Sequence, residues 1–333
     1  MIRFSKDRLQ TLFDHFSKKR ILVIGDLMLD RYLWGHVSRI SPEAPVPVVD
    51  IDSESFQLGG AANVVQNVQA LHAEVIPIGI IGDDQSGMIL KGLFEERGLP
   101  TDGLIVDQDR PTTVKTRIIA HSQHVVRTDR EVKYGITRKI QNQIIDYMKS
   151  RIEDVDNIIL QDYNKGLFVA HLITEVIKLA LEKNKQIYVD PKYDHFFNYR
   201  GVTVFKPNLK EVIDKLGVRL NSDQALEKAG EKLLNKIQSE AVLITLGESG
   251  IALFEKGKPW RKVPTRAVKV HDVSGAGDTV IATLAVAMAS GANFREAATI
   301  ANHAAGIVCE EVGIVPVDCE RLFQSMYNEI ERV

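Results

Sequence analysis

The chain has 333 residues, with 42 Lys and Arg against 44 Asp and Glu, a formal charge of -2. That balance offers no global field for nucleic acid or a membrane surface, and the two cysteines, Cys309 and Cys319, are too few for a disulfide framework and not spaced as a metal site. No apolar run approaches the roughly 18–20 residues of a membrane span, and the short apolar stretch at 21–24 is too hemmed by charge for a secretory signal, so a cytoplasmic, enzyme-sized protein is expected.

Short β-branched runs alternate with amphipathic stretches from Ile21 onward. Ile21–Gly25 opens a sheet. In Val37–Asp52, Pro42, Pro45 and Pro47 stand beside Val46, Val48, Val49 and Ile51. Proline is confined to turns and edge strands, so this reads as an edge ribbon leaving the main sheet. Such an apolar edge is a poor one to leave in water and predicts pairing with a second subunit, a homodimer. A helix over 60–72, a strand Val75–Ile81 and a helix over 85–97 follow, with Gly98 placed for a left-handed cap. Thr112–Ala120 and Gln123–Arg130 read as two strands on a tight connection; with the ribbon they form a small β lid, segments about 31–52 and 111–130. Then come a helix over 137–153, strand Asn157–Leu160, a helix over 170–183, and strands Gln186–Val189 and Thr203–Phe205. A helix over 208–216 closed by Gly217, a helix over 223–237 and strand Ala241–Thr245 complete the alternation. The run VHDVSGAGDTV at 270–280 reads as a strand, a two-glycine turn and an Ala-rich helix opening at Asp278. Residues 278–289 and 296–308 are apolar on nearly every face, as in buried helices. The pattern predicts an α/β fold: one domain over 1–333, with a doubly wound, mainly parallel sheet and helices on both faces.

Gly275, Ala276 and Gly277 would leave amide N–H groups bare at a helix N-terminus, where unpaired donors and the helix dipole favour an anion. A carboxylate in that same turn, Asp278, suits a base that takes a proton from an alcohol while the amides hold the phosphoryl group under attack. The pair also reads as a plain strand-to-helix turn with an acidic start. Asn208 and Glu211 share a helix face at i, i+3 and could hold a hydrated Mg²⁺; equally they could be an N-cap and its acidic first turn. Thr245, Gly247 and Gly250 follow a strand at its carboxyl end, where ligands bind beside parallel sheets, though a plain turn would look much the same. Lys192, in Asp190-Pro-Lys192, could reach a phosphate from the same edge. Asp26 and Asp30 after the first strand, with Gly59, Gly60 and Asn63, offer acceptors and bare backbone for neighbouring sugar hydroxyls. Asp26 could instead be a cap or turn residue. Lys115 and Arg117 point to one side of a lid strand; with Arg127 and Lys165 they could hold a phosphorylated substrate, or form a solvated face. No Gly-Lys-Ser/Thr loop follows the glycine turn and no GxGxxG follows the first strand, which sets aside P-loop enzymes and nicotinamide dehydrogenases.

DVSGAGD, GGAAN and PNLKE together resemble the ribokinase family of sugar kinases, also called the phosphofructokinase-B family. The stretches GDLMLDRYLWGHVSRISPEAPVPVVDI, GGAANVVQNV, VKTRIIAHSQHVVRTDRE, DYNKG and VDPK narrow the likeness to its heptose 7-phosphate kinases, over essentially the whole chain. The resemblance implies a ribokinase-like fold, ATP and Mg²⁺ as cofactors, and K⁺ as a candidate monovalent ion. It implies phosphorylation of O1 of D-glycero-β-D-manno-heptose 7-phosphate, with Asp278 as base and Gly275–Gly277 as anion hole. Asn208 and Glu211 would serve phosphate and Mg²⁺; Thr245, Gly247, Gly250 and Asn302 the nucleotide. Asp26, Asp30, Gly59, Gly60 and Asn63 would hold the heptose beneath a dimeric lid. Thr245–Gly250 looks more like the wider family. The nucleotidyltransferase half found in the bifunctional heptose enzymes is expected to be absent. Kinases for other phosphosugars, sugars or nucleosides are the rival reading, and a silent sugar-phosphate sensor a more distant one.

Overall fold

The computed structural model describes residues 4–121, 123–265, 272–311 and 313–331. An interior strand, β1 (Arg20–Gly25), is buried along nearly its whole length, so both faces must be covered. β4 (Glu74–Gly82) and β5 (Leu104–Asp107) lie on one side of it. On the other side come β8 (Asn157–Gln161), β9 (Gln186–Asp190), β10 (Val204–Phe205) and β11 (Ala241–Thr245), all pairing in parallel. Two antiparallel strands, β12 (Ile251–Glu255) and β13 (Arg261–Val263), extend that edge, so the nine strands run β13-β12-β11-β10-β9-β8-β1-β4-β5.

Alternation along these strands sorts the apolar side chains into two cores, because successive residues of a strand face opposite ways. Ile21, Val23, Ile159, Tyr188 and Leu243 join one core. Leu22, Ile24, Ile158, Leu160, Val189 and Val242 join the other. The first is covered by α1 (Lys6–Phe16), α2 (Ala61–Ala70), α3 (Gln85–Glu96), α8 (Ala276–Ala289), α9 (Phe294–Val308) and α10 (Cys319–Glu331). The second lies under α4 (Arg138–Arg151), α5 (Ala170–Glu182), α6 (Leu209–Leu216) and α7 (Asp223–Ile237). α8 packs against α2, α9 and β8, which accounts for its apolar circumference.

The expected strands and helices stand within a residue or two of their observed bounds, and Gly217 closes α6 in the left-handed conformation. α1, β5, β12, β13 and α10 lie outside the expected set. β12 and β13 turn back antiparallel, which no βαβ reading anticipates. α8 starts at Ala276, two residues ahead of the expected opening at Asp278, because Gly275 takes a left-handed conformation (φ 81°) and caps the helix itself. The strand expected to lead into this turn begins on Val270 and His271, outside the described residues.

The lid is a sheet of its own. β2 (Leu27–Ile40) and β3 (Pro47–Gly60) form an antiparallel ribbon, β6 (Val114–Ala120) pairs β2 in parallel, and β7 (Gln123–Arg130) pairs β6, giving the order β3-β2-β6-β7. The prolines sit at the turn and on the edge strand, as expected, but β2 and β3 reach inward past 31 and 52 to Leu27 and Gly60. Asp30 and Gly59 therefore belong to the root of the lid.

Candidate active site

The carboxyl ends of β1, β8, β9 and β10 and the N-termini of α2 and α8 meet at one place. Six helices, α1, α3, α4, α6, α7 and α9, begin with a Ser, Asp, Thr or Asn whose side chain accepts from the first turn. α2 and α8 begin with Gly60 and Gly275 and have no side-chain cap. A helix start without a side-chain cap can turn free first-turn donors toward an anion, but at α2 the Ala61 N–H is taken by the Asp26 carbonyl at 3.0 Å. At α8, Ala276 N–H bonds the Val273 carbonyl at 3.3 Å, so it is not a free donor as expected. The amides of Gly275 and Gly277 have no backbone acceptor among the described residues. A Cβ added at Gly277 would stand 3.7 Å from Lys206 Nζ and 3.9 Å from Asp190 Oδ2, so the Gly277 backbone, the lysine and the aspartate border one space. Lys206 is buried and paired with Asp190 at 2.8 Å.

Asp278, in the first turn of α8, is 6% exposed. Asn63 Nδ2 donates to its Oδ2 at 2.8 Å; Gln161 Nε2 at 3.2 Å and the Tyr163 hydroxyl at 2.5 Å donate to Oδ1. Burial raises its pKa to about 6, with Asp190 adding to the rise, while Tyr163, Asn63 and Lys206 oppose it. A carboxylate with that value is ionised at neutral pH yet basic enough to share a proton. Asn63, expected against sugar hydroxyls, instead spends its amide on this carboxylate; its own carbonyl is held by Asn67 Nδ2 at 3.3 Å.

Asp26 also departs from expectation. Its carboxylate accepts the backbone N–H groups of Tyr163 (2.8 Å), Lys165 (3.2 Å) and Leu167 (3.3 Å), which leaves little capacity for sugar hydroxyls. It is a clamp on the loop after β8. Burial, then the charge of Asp162, raises its pKa to about 6 against those three amides. Gly60 starts α2 one residue before its first helical amide, which bonds the Asp26 carbonyl.

At the end of β10, Asn208 and Glu211 form a reciprocal capping box at the start of α6. Glu211 is also ion-paired with Lys192, and burial raises its pKa against that pairing. Each Glu211 oxygen already has a partner, so the pair suits a hydrated Mg²⁺ held through water and not direct ligation. Among the described residues no three His, Cys, Asp or Glu gather as a metal cluster. Thr245 bridges Asn208 across the strand ends, and Gly247 lies in the short helical turn that follows. Gly250 packs under the Val263 carbonyl, which a Cβ would meet at 2.1 Å. Asn302 Nδ2 holds the Pro264 carbonyl at 2.8 Å, tying α9 to the segment after β13.

At the lid root, Asp30 pairs with Arg117 at 2.5 Å, and its Oδ2 would lie 2.1 Å from a Cβ at Gly59, so a larger residue there would push the carboxylate from its place. Arg127 is held bidentately by Asp129, at 2.9 and 3.1 Å, and Lys165 by Glu131 at 2.5 Å. Lys115 is different. It faces the Tyr163 ring at 5.6 Å and has no ion pair among the described residues; burial and the charges of Lys165 and Arg117 hold its pKa down while Asp30 and Asp129 raise it. Of the four cations expected to receive a phosphate, three are committed to acidic partners.

Gln161, Tyr163, Asp190 and Lys206 are the site residues that motif reading passed over as chemistry. Gln161 and Asp190 close parallel strands and Lys206 directly follows one, and that shared position was the available signal.

The pfkB family of carbohydrate kinases matches residues 18–318. The chain is 45% identical to the bifunctional protein HldE of Desulfatibacillum aliphaticivorans, over 94% of the chain and 64% of that protein. It is 40% identical to bifunctional protein HldE of Geobacter sulfurreducens, over 96% of the chain and 66% of that protein. The chain thus spans about two thirds of the length of these curated relatives. In fold it is similar to phosphofructokinase-2 from Escherichia coli in complex with potassium (TM-score 0.77, 17% identity, 94% of this chain and 99% of that one). It is also similar to Arabidopsis thaliana ribokinase complexed with ribose and ATP (TM-score 0.72, 18% identity, 92% and 99%).

Proposed function

The chain belongs to the pfkB family of carbohydrate kinases, phosphotransferases with an alcohol acceptor, and from that premise we propose that it phosphorylates O1 of D-glycero-β-D-manno-heptose 7-phosphate. The product would be the 1,7-bisphosphate, a precursor of ADP-heptose and the lipopolysaccharide inner core. The observation that carries the kinase chemistry is a buried carboxylate, Asp278, in the first turn of a helix with no side-chain cap, beside a buried lysine.

Asp278 accepts the O1 proton as that oxygen attacks the γ-phosphorus of ATP in line. The Gly275 and Gly277 amides and Lys206 stabilise the charge on the migrating group, and Lys192 meets phosphate from the end of β9. Phosphoryl transfer leaves little covalent work to the protein, so positioning and electrostatics dominate; one well-aimed donor is worth about 2.7–4 kcal/mol. Mg²⁺, when bound, would neutralise phosphate charge, with Glu211 and Asn208 holding it through water. K⁺, named with one compared structure, is a further candidate ion. Thr245, Gly247, Gly250 and Asn302 would border the nucleotide. Asp30, held by Arg117, would orient the sugar at the lid root beside Gly59. Lys115, the uncommitted cation, is the residue that favours a phosphorylated sugar.

Trp34, Ile40, Val46, Ile51 and Val126 are exposed on the lid, which supports a homodimer formed through it. A cytoplasmic location, where ATP is supplied, accords with this reading. The test is a panel of heptose 7-phosphate, other phosphosugars, free sugars and nucleosides, with products identified by phosphorus NMR. The heptose 7-phosphate should turn over best and give a new anomeric phosphate. Lys115→Met should raise KM for it about tenfold, the scale of one charge-assisted contact, with little change in kcat. Preference for an unphosphorylated acceptor would refute the assignment of substrate; absence of any turnover would favour a sensor.

A further inference from the structure

The Asp278 carboxylate offers about four acceptor positions and already has three side-chain donors. Two of those donors are built in. Asn63 is buried on α2 and braced by Asn67, and Gln161 ends β8, is 1% exposed and also donates to Asp190 at 3.1 Å. The third, Tyr163, stands on the loop after β8 and makes the shortest contact, 2.5 Å. Its backbone is pinned by Asp26, so its side chain can turn while its Cα stays in place. The ring lies between two ammonium groups, Lys115 of the lid at 5.6 Å and Lys192 of the phosphate side at 5.9 Å. An anion arriving at either side draws a cation from the ring.

Resting on the reading of Asp278 as base, we propose that Tyr163 is a positioning residue that occupies Asp278 until the acceptor sugar displaces it. Before the sugar arrives, the phenol stands in the position a hydroxyl would take, which hinders a water from giving Asp278 its proton and attacking the γ-phosphorus to release ADP and phosphate. Sugar entry rotates the phenol away and exposes the base.

Tyr163→Phe keeps the ring and both cation contacts and removes the plug. ATP hydrolysis without sugar should rise about tenfold, the scale of one strong hydrogen bond to a charged group. Sugar-phosphate affinity, measured by calorimetry without nucleotide so that lost turnover does not obscure it, should tighten severalfold. The acid limb of kcat/KM should move to higher pH, because the lost donor no longer favours the ionised carboxylate. Asp190 from β9, Lys206 from β10 and Lys192 after β9 face the same carboxylate and are unchanged in the variant. Unchanged hydrolysis and affinity in a variant that melts like the wild type would overturn the proposal. A lower kcat with hydrolysis, affinity and acid limb all unmoved would do the same, marking a structural role. Tyr163→Phe/Asp278→Asn separates the two readings: a rise in hydrolysis that survives loss of the carboxylate refutes Asp278 as base, whereas no rise in Tyr163→Phe alone refutes the plug.

Discussion

Two buried carboxylates stand at the same sheet edge, each raised to about 6 and each accepting three hydrogen bonds, but from different kinds of donor. Asp26 is held by backbone amides of one loop, at Tyr163, Lys165 and Leu167. Asp278 is held by side chains from three places, Asn63, Gln161 and Tyr163. Backbone donors move only if the chain moves, so the Asp26 corner is a fixture. Side-chain donors can exchange with a substrate hydroxyl by rotation, so the Asp278 corner can do chemistry. Neither carboxylate favours folding at neutral pH. Their native pKa values lie above the unfolded value near 3.8, so the native state binds the proton more tightly. The resulting stability is present below about pH 4 and is lost as pH rises through about 6, on the order of 3 kcal/mol for each group. For Asp26 that figure is what remains after three charge-assisted bonds, which order the loop, have already lowered it.

The sharpest way to break this contrast is Asp278→Asn. Turnover should fall by about 10²–10⁴-fold, the usual worth of a general base, while thermal stability holds or rises because a buried charge has gone. Near wild-type rates in the purified variant would erase the distinction between the two corners. Asp26→Asn should do the reverse. An amide cannot accept all three N–H groups, so about 1–3 kcal/mol of stability should be lost, seen as a melting temperature lowered by several degrees, with a smaller fall in kcat. Were Asp26→Asn to lose turnover as Asp278→Asn does, without melting earlier, Asp26 would touch the substrate after all.

The finest discrimination lies in pH. The acid limb of kcat/KM should fall at about pH 6 as Asp278 takes up a proton, and it should stay there in Asp26→Asn. Asn63→Leu removes a donor to the ionised form and should move that limb upward by a fraction of a pH unit, measured at saturating ATP. A limb that follows Asp26 instead would exchange the two assignments.

Much of the scaffold was legible in the linear chain. Ile21–Ile24 and Ala241–Ile244 announce strands buried on both faces; Gly275 and Gly277 mark the bare helix start, and Gly217 ends α6 as predicted. Asn208 and Glu211 share a face as their spacing required, yet their first partners are each other. Asp26 and Asn63 were recognisable as polar residues at the mouth of the sheet, and their partners were not. Arg117 reads as a phosphate ligand until Asp30, 87 positions away, is found within 2.5 Å of it. β12 and β13 escaped because short antiparallel additions carry no helix between them to mark the crossover.

The alternation from β1 to β11, the two-sided core and the chemical types gathered at the carboxyl edge could be read from the linear chain, because periodicity, capping and glycine conformation are properties of neighbouring residues. Which donor meets which carboxylate is set by packing. Tyr163 and Asn63 reach Asp278 across 115 and 215 positions, and the Tyr163 amide reaches Asp26 across 137, distances over which the packed sheet and not the local chain sets the geometry.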